Sequence, residues 1–144
     1  MIDAGLYALL SSNSALTSLL ASVNGQPAIF AGAAPDDLAM YPCVSYAFVG
    51  GSSDPTMGTP GMIRQRIEIN GFAGMPSGGL SAGSVAAAIR SAVIKAVNGW
   101  QQVLSDGTNV SNAVLLNPGT DFVSEDRIFR AMCEFYVLYT LPTS

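Results

Sequence analysis

Histidine is absent from this 144-residue chain, and charged side chains are few. The six Lys and Arg and ten Asp and Glu residues make up 11% of the sequence, whereas about a quarter of the residues of an ordinary soluble domain are charged. Without histidine the chain cannot form a Ser-His-Asp or Cys-His catalytic group, and it lacks the commonest metal ligand. A net charge of −4 with no basic cluster also argues against binding to nucleic acid through phosphate contacts.

Long apolar runs are missing too, although 49% of the residues are hydrophobic. The run over residues 38–51 contains Pro42, and the apolar segment over residues 85–97 is interrupted by an Arg and a Lys, so neither suits a membrane-spanning helix. No Lys or Arg precedes Arg64, which argues against a signal peptide, because such a peptide begins with a positively charged region. We therefore expect a cytosolic protein, mature from Met1, with no membrane partner.

Cysteine is also scarce, with Cys43 and Cys133 each inside an apolar, strand-like run. This setting favours two buried, reduced thiols over a disulfide, and two isolated cysteines cannot make a thiolate zinc site of the usual spacing.

Other motifs with possible chemistry are weak. The adjacent carboxylates Asp36-Asp37 and Glu125-Asp126 could act in acid/base work or bind a hard cation, but they also suit the caps of neighbouring elements. The glycine-rich segment 78–84 precedes a helical pattern, yet Ser84 stands where a phosphate-binding loop needs Lys. We expect no catalytic residue, no metal and no cofactor, and therefore no enzyme.

Charge is distributed unevenly along the chain. Between Asp3 and Asp36 there is no charged residue, and the polar positions there are Ser, Thr, Asn and Gln. Burying such side chains against another protein costs less than burying charges. This segment therefore suits either a subunit that is covered in an assembly or a weakly charged face in solvent.

Two helices are predicted from apolar residues at three- and four-residue spacing. The first covers residues 4–22, with Asp3 as its N-cap, a break at the Ser12-Asn13-Ser14 triplet, and a stop at Asn24-Gly25. The second covers residues 81–98 and ends at Asn98-Gly99, where Trp100 suits the hydrophobic contact of a Schellman motif.

Alternating apolar and polar residues predict the strands. They are expected at residues 28–31, 43–49, 63–72, 101–104, 113–116 and 127–139. Residues 50–62 are rich in Gly and Pro and predict a long hairpin loop. The order of elements, with hairpin-like connections, predicts an α+β fold: one domain over residues 1–144, with an antiparallel sheet and two main helices packed on one face.

The sheet face away from the helices is predicted to carry charge, on Arg64, Arg66, Glu68, Arg130 and Glu134. Cross-strand pairing among these side chains is one explanation. Contact with another subunit is the other.

The order of segments resembles the tail terminator or tail completion family of long-tailed bacteriophages and gene transfer agents. The resemblance covers most of the chain and rests on order and spacing rather than on one motif. Its parts are the N-terminal leucine-rich helix, the strand Ala28-Ile29-Phe30 followed by Pro35, the segments 41–46 and 66–72, the Ala-rich helix, and the closing strand 127–137.

The resemblance implies a structural virion protein with no catalytic role. Family members form a ring, usually hexameric, that caps the head-proximal end of the tail tube and stops its polymerisation. The implied partners are further copies of the chain, the tail tube protein and the head connector or adaptor protein, with DNA passing through the channel without specific binding. The implied location is the head–tail junction of a virion assembled in the bacterial cytoplasm.

The subunit or tube interface is expected on the hairpin and on the charged sheet face. The residues assigned to it are Asp54, Thr56, Met57, Met62, Arg64, Arg66, Glu68 and Arg130. Two alternatives stay open: another neck or minor tail structural protein, such as a head–tail adaptor, and a small ligand-binding module or enzyme.

Overall fold

The computed structural model describes residues 2–33, 40–54, 62–74, 82–123 and 128–141. Within these ranges the chain forms three helices and eight strands. In chain order they are α1 (Ile2–Ser11), α2 (Ser14–Thr17), β1 (Ser22–Val23), β2 (Gln26–Pro27), β3 (Ile29–Ala31), β4 (Cys43–Asp54), β5 (Met62–Ala73), α3 (Ala82–Val97), β6 (Gln102–Val103), β7 (Asn109–Val123) and β8 (Phe129–Thr140). The predicted α+β class is confirmed.

A six-stranded sheet organises the described part of the chain, in the order β3-β4-β5-β8-β7-β6. Neighbouring strands are antiparallel except β3 and β4, which are parallel. Because β8 is antiparallel to both β5 and β7, these two strands run in the same direction with β8 between them. The segment that contains α3 therefore makes a crossover. The expectation of hairpin-like connections alone was wrong here, because strand periodicity does not say which strands are neighbours.

One face of the sheet packs against α3. A Cβ on Gly71 would lie 2.6 Å from Cγ2 of Ile89, so the face of β5 that bears Gly71 is turned to this helix. The strand register places Ile67 and Ile69 of β5 and Phe135 of β8 on the same face, and all three are buried. Fully burying one such side chain stabilises the fold by about 1.5–3 kcal/mol.

No helix in the described ranges has the length and apolar character needed to cross a bilayer.

The helical N-terminal segment breaks where the sequence predicts. Asn13 has extended backbone angles, and its side-chain oxygen accepts a hydrogen bond from the backbone N–H of Leu16 at 3.0 Å, which makes it the N-cap of α2. The first helix starts at Ile2, so Asp3 lies in its first turn and is not its N-cap. The predicted stop at Asn24-Gly25 was also wrong, because α2 ends at Thr17.

Asn24 and Gly25 form a turn instead of a helix stop. Their φ angles are 52° and 79°, and they join β1 to β2 in an antiparallel pair. Positive φ at both central residues, together with the Asn-Gly sequence, is typical of a type I′ hairpin.

The end of α3 differs in detail from the predicted Schellman motif. Gly99 has a φ of 80° and Trp100 is buried, as that motif requires. However, the N–H of Gly99 donates to the carbonyl of Ala113 on β7 at 2.8 Å, and the N–H of Trp100 donates to Val97 at 3.0 Å. The helix end is thus tied to the sheet.

The predicted loop over residues 50–62 is partly strand. After a register shift between Phe48 and Gly51, β4 continues to Asp54, which is paired with Met62 at the start of β5. The rest of the predicted loop, residues 55–61, lies outside the described residues.

Candidate assembly interface

The sheet face turned away from α3, here called the outer face, collects the polar side chains of β5 and β8. On β5 these are Arg64, Arg66, Glu68 and Asn70, which alternate with the buried Ile67 and Ile69. The register places Arg130, Met132, Glu134, Tyr136 and Leu138 of β8 beside them. Three arginines against two glutamates give this part of the outer face a net positive charge, on a chain whose net charge is −4.

An ion pair crosses the centre of the outer face. Nε of Arg66 donates to Oε2 of Glu134 at 2.6 Å, and a second guanidinium nitrogen contacts the same oxygen. The Glu134 side chain is 10% exposed and that of Arg66 46%. A carboxylate so well removed from water needs its partner, because leaving it alone would carry the full cost of desolvation.

Arg64 lies over an aromatic ring. Its guanidinium carbon is 4.9 Å from the centroid of the Tyr136 ring on the neighbouring strand, a cation–π geometry. A cation in this position is attracted by the negative face of the ring.

Glu68 lies directly opposite Glu134 in the register of β5 and β8. Like charges in this position are destabilising. Arg66 compensates Glu134, and Glu68 accepts a hydrogen bond from Nδ2 of Asn70 at 3.2 Å. The other amide atom of Asn70, Oδ1, is buried and has no hydrogen-bond partner among the described residues. The Glu68–Asn70 cluster therefore has an acceptor for which the described part of the chain supplies no donor.

The structure brings together part of the predicted interface. Arg64, Arg66 and Glu68 follow one another on the outer face of β5, with Arg130 paired to Phe72 near the other end of this strand. Met62 begins β5, and the backbone of Asp54 is paired with it. Thr56 and Met57 lie outside the described residues.

Asn70 and Tyr136 were missed as site residues. Asn70 continues the alternation of Arg64, Arg66 and Glu68, a signal that was available in the sequence. The contact of Tyr136 with Arg64 depends on the pairing of β5 with β8, which no local pattern predicts.

Apolar side chains are exposed on the same face. Val114 of β7 lies opposite Tyr136 in the register and is 42% exposed. Val49, at the register shift of β4, is exposed to the same extent. Exposed valines beside a charged centre suit a surface that is partly apolar and partly polar, as protein–protein interfaces are.

Both outer edges of the sheet are paired with another strand over only part of their length within the described ranges. β3 pairs with residues 44–46 of β4, and β6 pairs with residues 109–110 of β7. The remainder of each long strand has a neighbour on one side. Unpaired strand edges are templates for pairing with another chain.

The described residues offer little for catalysis. Burial raises the pKa of the Cys43 thiol and of the Cys133 thiol to about 12, so neither is a thiolate near neutral pH. Both are free cysteines, as predicted. No group of three or more His, Cys, Asp or Glu side chains in the described ranges could hold a metal ion.

A cavity of about 410 Å³ lies between α3 and the ends of β7 and β8. Its lining includes Gly83, Ala86 and Phe129, together with Asp121, which forms an ion pair with Arg90. Neither cysteine lines the cavity, whose lining also includes Ser84.

Comparisons with known proteins identify the family. A family model described as tail completion protein gp17 matches residues 4–140. A chain of the solved structure described as the virion of a native gene transfer agent particle is 19% identical, with a TM-score of 0.65 over 93% of this chain and 90% of that chain; this likeness shows a shared fold. The search of curated proteins found no match. Because the family model spans nearly the whole chain, the protein belongs to the tail completion protein gp17 family, whose members are structural proteins of phage tails.

Proposed function

We propose that copies of this chain assemble into a closed ring, a hexamer, at the head-proximal end of the tail tube. The ring stops polymerisation of the tube protein and offers a new surface to the head connector, so the protein acts at the head–tail junction. The observation that carries the proposal is the match to the tail completion family over residues 4–140. The shared fold with a chain of a gene transfer agent virion supports it.

The surface properties of the subunit support assembly. Charged residues form 11% of the sequence, and the outer face combines exposed valines with one central ion pair. A surface of this kind is covered at low cost, because few charges must be desolvated. Residues 1–144 then act as one domain, without a cofactor, and serve structure rather than catalysis.

The interface residues in this proposal are those of the outer face and the β4–β5 hairpin. They are Asp54, Thr56, Met57, Met62, Arg64, Arg66, Glu68 and Arg130. The unpaired edges of β4 and β7 extend this surface, since an exposed edge can add a strand from a neighbour.

DNA passes through the ring without specific binding. Each copy contributes a net charge of −4, and we expect a channel wall without basic rings, which would not hold a polyanion. A channel wall of this kind lets DNA slide.

Electron microscopy of the purified protein tests the proposal. We expect closed rings with a central hole, and tubes of uncontrolled length when the tail tube protein polymerises without this protein. Rings bound at one end of the tube would support the proposal. A purified protein that stays monomeric at high concentration, or tubes whose length is unchanged by its addition, would refute it. Density within the connector rather than at the tube end would identify a neck adaptor instead.

The hairpin gives a second test of the same proposal. Deleting residues 52–59 removes the end of β4 together with residues 55–59 and leaves β5 in place. We expect loss of rings or of tube capping. Normal rings and tails of normal length from this deletion variant would remove the hairpin from the interface.

A further inference from the structure

The two long strands nearest the sheet edges, β4 and β7, carry no charge along most of their length. No charged residue occurs over residues 43–53 or over residues 109–120. Proteins usually protect an exposed edge with charged side chains, because such an edge otherwise pairs with other chains. Val49 of β4, and Val114 and Leu116 of β7, are each 42% exposed. Both edges therefore have the character of strands that another chain covers.

A short strand already covers one end of each edge. β3 pairs with residues 44–46 at the start of β4, and β6 pairs with residues 109–110 at the start of β7. Because β4 and β7 run in opposite directions, these short strands lie at opposite ends of the sheet. Beyond them, and within the described ranges, residues 47–54 of β4 and 111–123 of β7 have a neighbouring strand on one side.

The strand directions suit a contact between the two edges. A ring of more than two copies is held by head-to-tail contacts, in which one surface of a subunit meets a different surface of the next. Copies that stand side by side around an axis along their strands bring β7 of one copy beside β4 of the next. These two strands run in opposite directions, so the new pair is antiparallel, like the pairs among the long strands within the subunit.

The register shifts limit which stretches can pair. The pairing of β4 with β5 is regular over residues 51–54, and that of β7 with β8 is regular over residues 112–115 and 120–123. When residues 51–54 lie antiparallel to residues 120–123 of the neighbour, β3 and β6 both lie beyond the ends of the new pair. When they lie against residues 112–115 instead, β3 of one copy meets the end of β7 of the other. The first arrangement is the one that the short strands leave open.

We infer that residues 51–54 of β4 in one copy pair antiparallel with residues 120–123 of β7 in the next copy, so that the sheet continues around the ring. This inference rests on the proposed ring and specifies its subunit contact. It places Asp54 opposite Thr120, and the register within each copy puts both positions on the outer face. Residues opposite each other in antiparallel strands have Cα atoms about 4.5–5.5 Å apart, a separation that a disulfide can bridge.

Disulfide cross-linking of the full chain tests this contact. Under mild oxidation we expect the double variant Asp54→Cys/Thr120→Cys to give covalent species from dimers up to the complete ring on a non-reducing gel. Each single variant should give nothing larger than a dimer. The natural Cys43 and Cys133 should not compete, because burial raises the pKa of each thiol to about 12.

The matched control is Asp54→Cys/Asn112→Cys, which moves one cysteine along the same face of β7 to the other regular stretch. We expect it to cross-link at least about tenfold more slowly, because thiols held in contact have a far higher effective concentration than thiols that meet by collision. Ser52→Cys/Phe122→Cys tests the same register at a second pair of opposite positions. Sedimentation velocity under reducing conditions shows which variants still form rings.

The outcomes separate the contact from the ring itself. Reduced variants that form rings but give no covalent species larger than a dimer at either pair of positions would overturn the inference and leave the proposed function standing. A control pair that cross-links as fast as Asp54→Cys/Thr120→Cys would also overturn it. Absence of rings from the unaltered protein would overturn the proposed function.

Discussion

Gly71 is the residue at which α3 and the sheet come closest. A Cβ there would lie 2.6 Å from Cγ2 and 3.0 Å from Cβ of Ile89, with the carbonyl oxygen of Ala86 at 3.4 Å. The position therefore requires the absence of a side chain for reasons of space. Moving Ile89 aside would displace a fully buried side chain of the core, and an overpacked core is strained.

We expect Gly71→Ala to lower the free energy of unfolding by about 1–3 kcal/mol. Urea denaturation followed by circular dichroism measures this change. The Ile89→Ala background is the matched control, because it removes Cγ2, the atom that the new methyl group would approach most closely. The cost of Gly71→Ala should be much smaller in that background, and an equal cost in both backgrounds would show that steric conflict with Ile89 is not the cause.

Among the elements, the short helix α2 depends on its cap. It has four residues, too few for a helix that is stable without other contacts. Asn13 satisfies the N–H of Leu16, and the Leu16 side chain is fully buried in the core. The cap thus fixes the backbone of the buried Leu16 as well as the start of the helix.

We expect Asn13→Ala to destabilise the protein by about 0.5–2 kcal/mol, the usual range for loss of an N-cap. Asn13→Ser and Asn13→Asp retain a side-chain acceptor and should cost much less. Thermal unfolding of the three variants side by side measures the difference. A serine variant as unstable as the alanine variant would mean that the hydrogen bond of the cap is not what Asn13 contributes.

Local patterns predicted the elements better than their connections. The break at Asn13 and the strands containing Val44 and Ile67 follow from side-chain chemistry within a few residues, so the sequence alone indicates them. The crossover through α3 depends on β8 entering between β5 and β7, a long-range event. The continuation of β4 past Gly50 also depends on its neighbour, because β5 supplies the pairing that a Gly-rich segment does not favour by itself.

In the candidate interface, too, some features follow from the local sequence and others depend on strand pairing. Alternation along β5 places Arg64, Arg66 and Glu68 on one face without any tertiary information. The proximity of Glu68 to Glu134 depends on the strand register, and so does the burial of the Asn70 oxygen that has no hydrogen-bond partner among the described residues. Sequence reasoning therefore predicts which side chains share the face, whereas the structure is needed to find which of them are in contact.

For the whole molecule, the scarcity of charge has a structural counterpart on the outer face. Most of the described charges there interact within the subunit, as the pair of Arg66 with Glu134 and the stacking of Arg64 on Tyr136 show. Val114 lies exposed beside them. A neighbouring subunit would thus meet a surface whose charges are already largely compensated, which lowers the desolvation cost of association.

We expect Val114→Glu to weaken self-association because it places a carboxylate on the outer face, which belongs to the proposed interface. Val103→Glu is the matched control: Val103 is 68% exposed, lies on the short edge strand β6 and is remote from Arg64 and Arg66 in the sheet order. Sedimentation velocity should show at least about a tenfold rise in the dissociation constant for Val114→Glu and little change for Val103→Glu. Equal effects of the two variants would mean that added charge weakens association wherever it is placed, and would remove the outer face from the assembly contact.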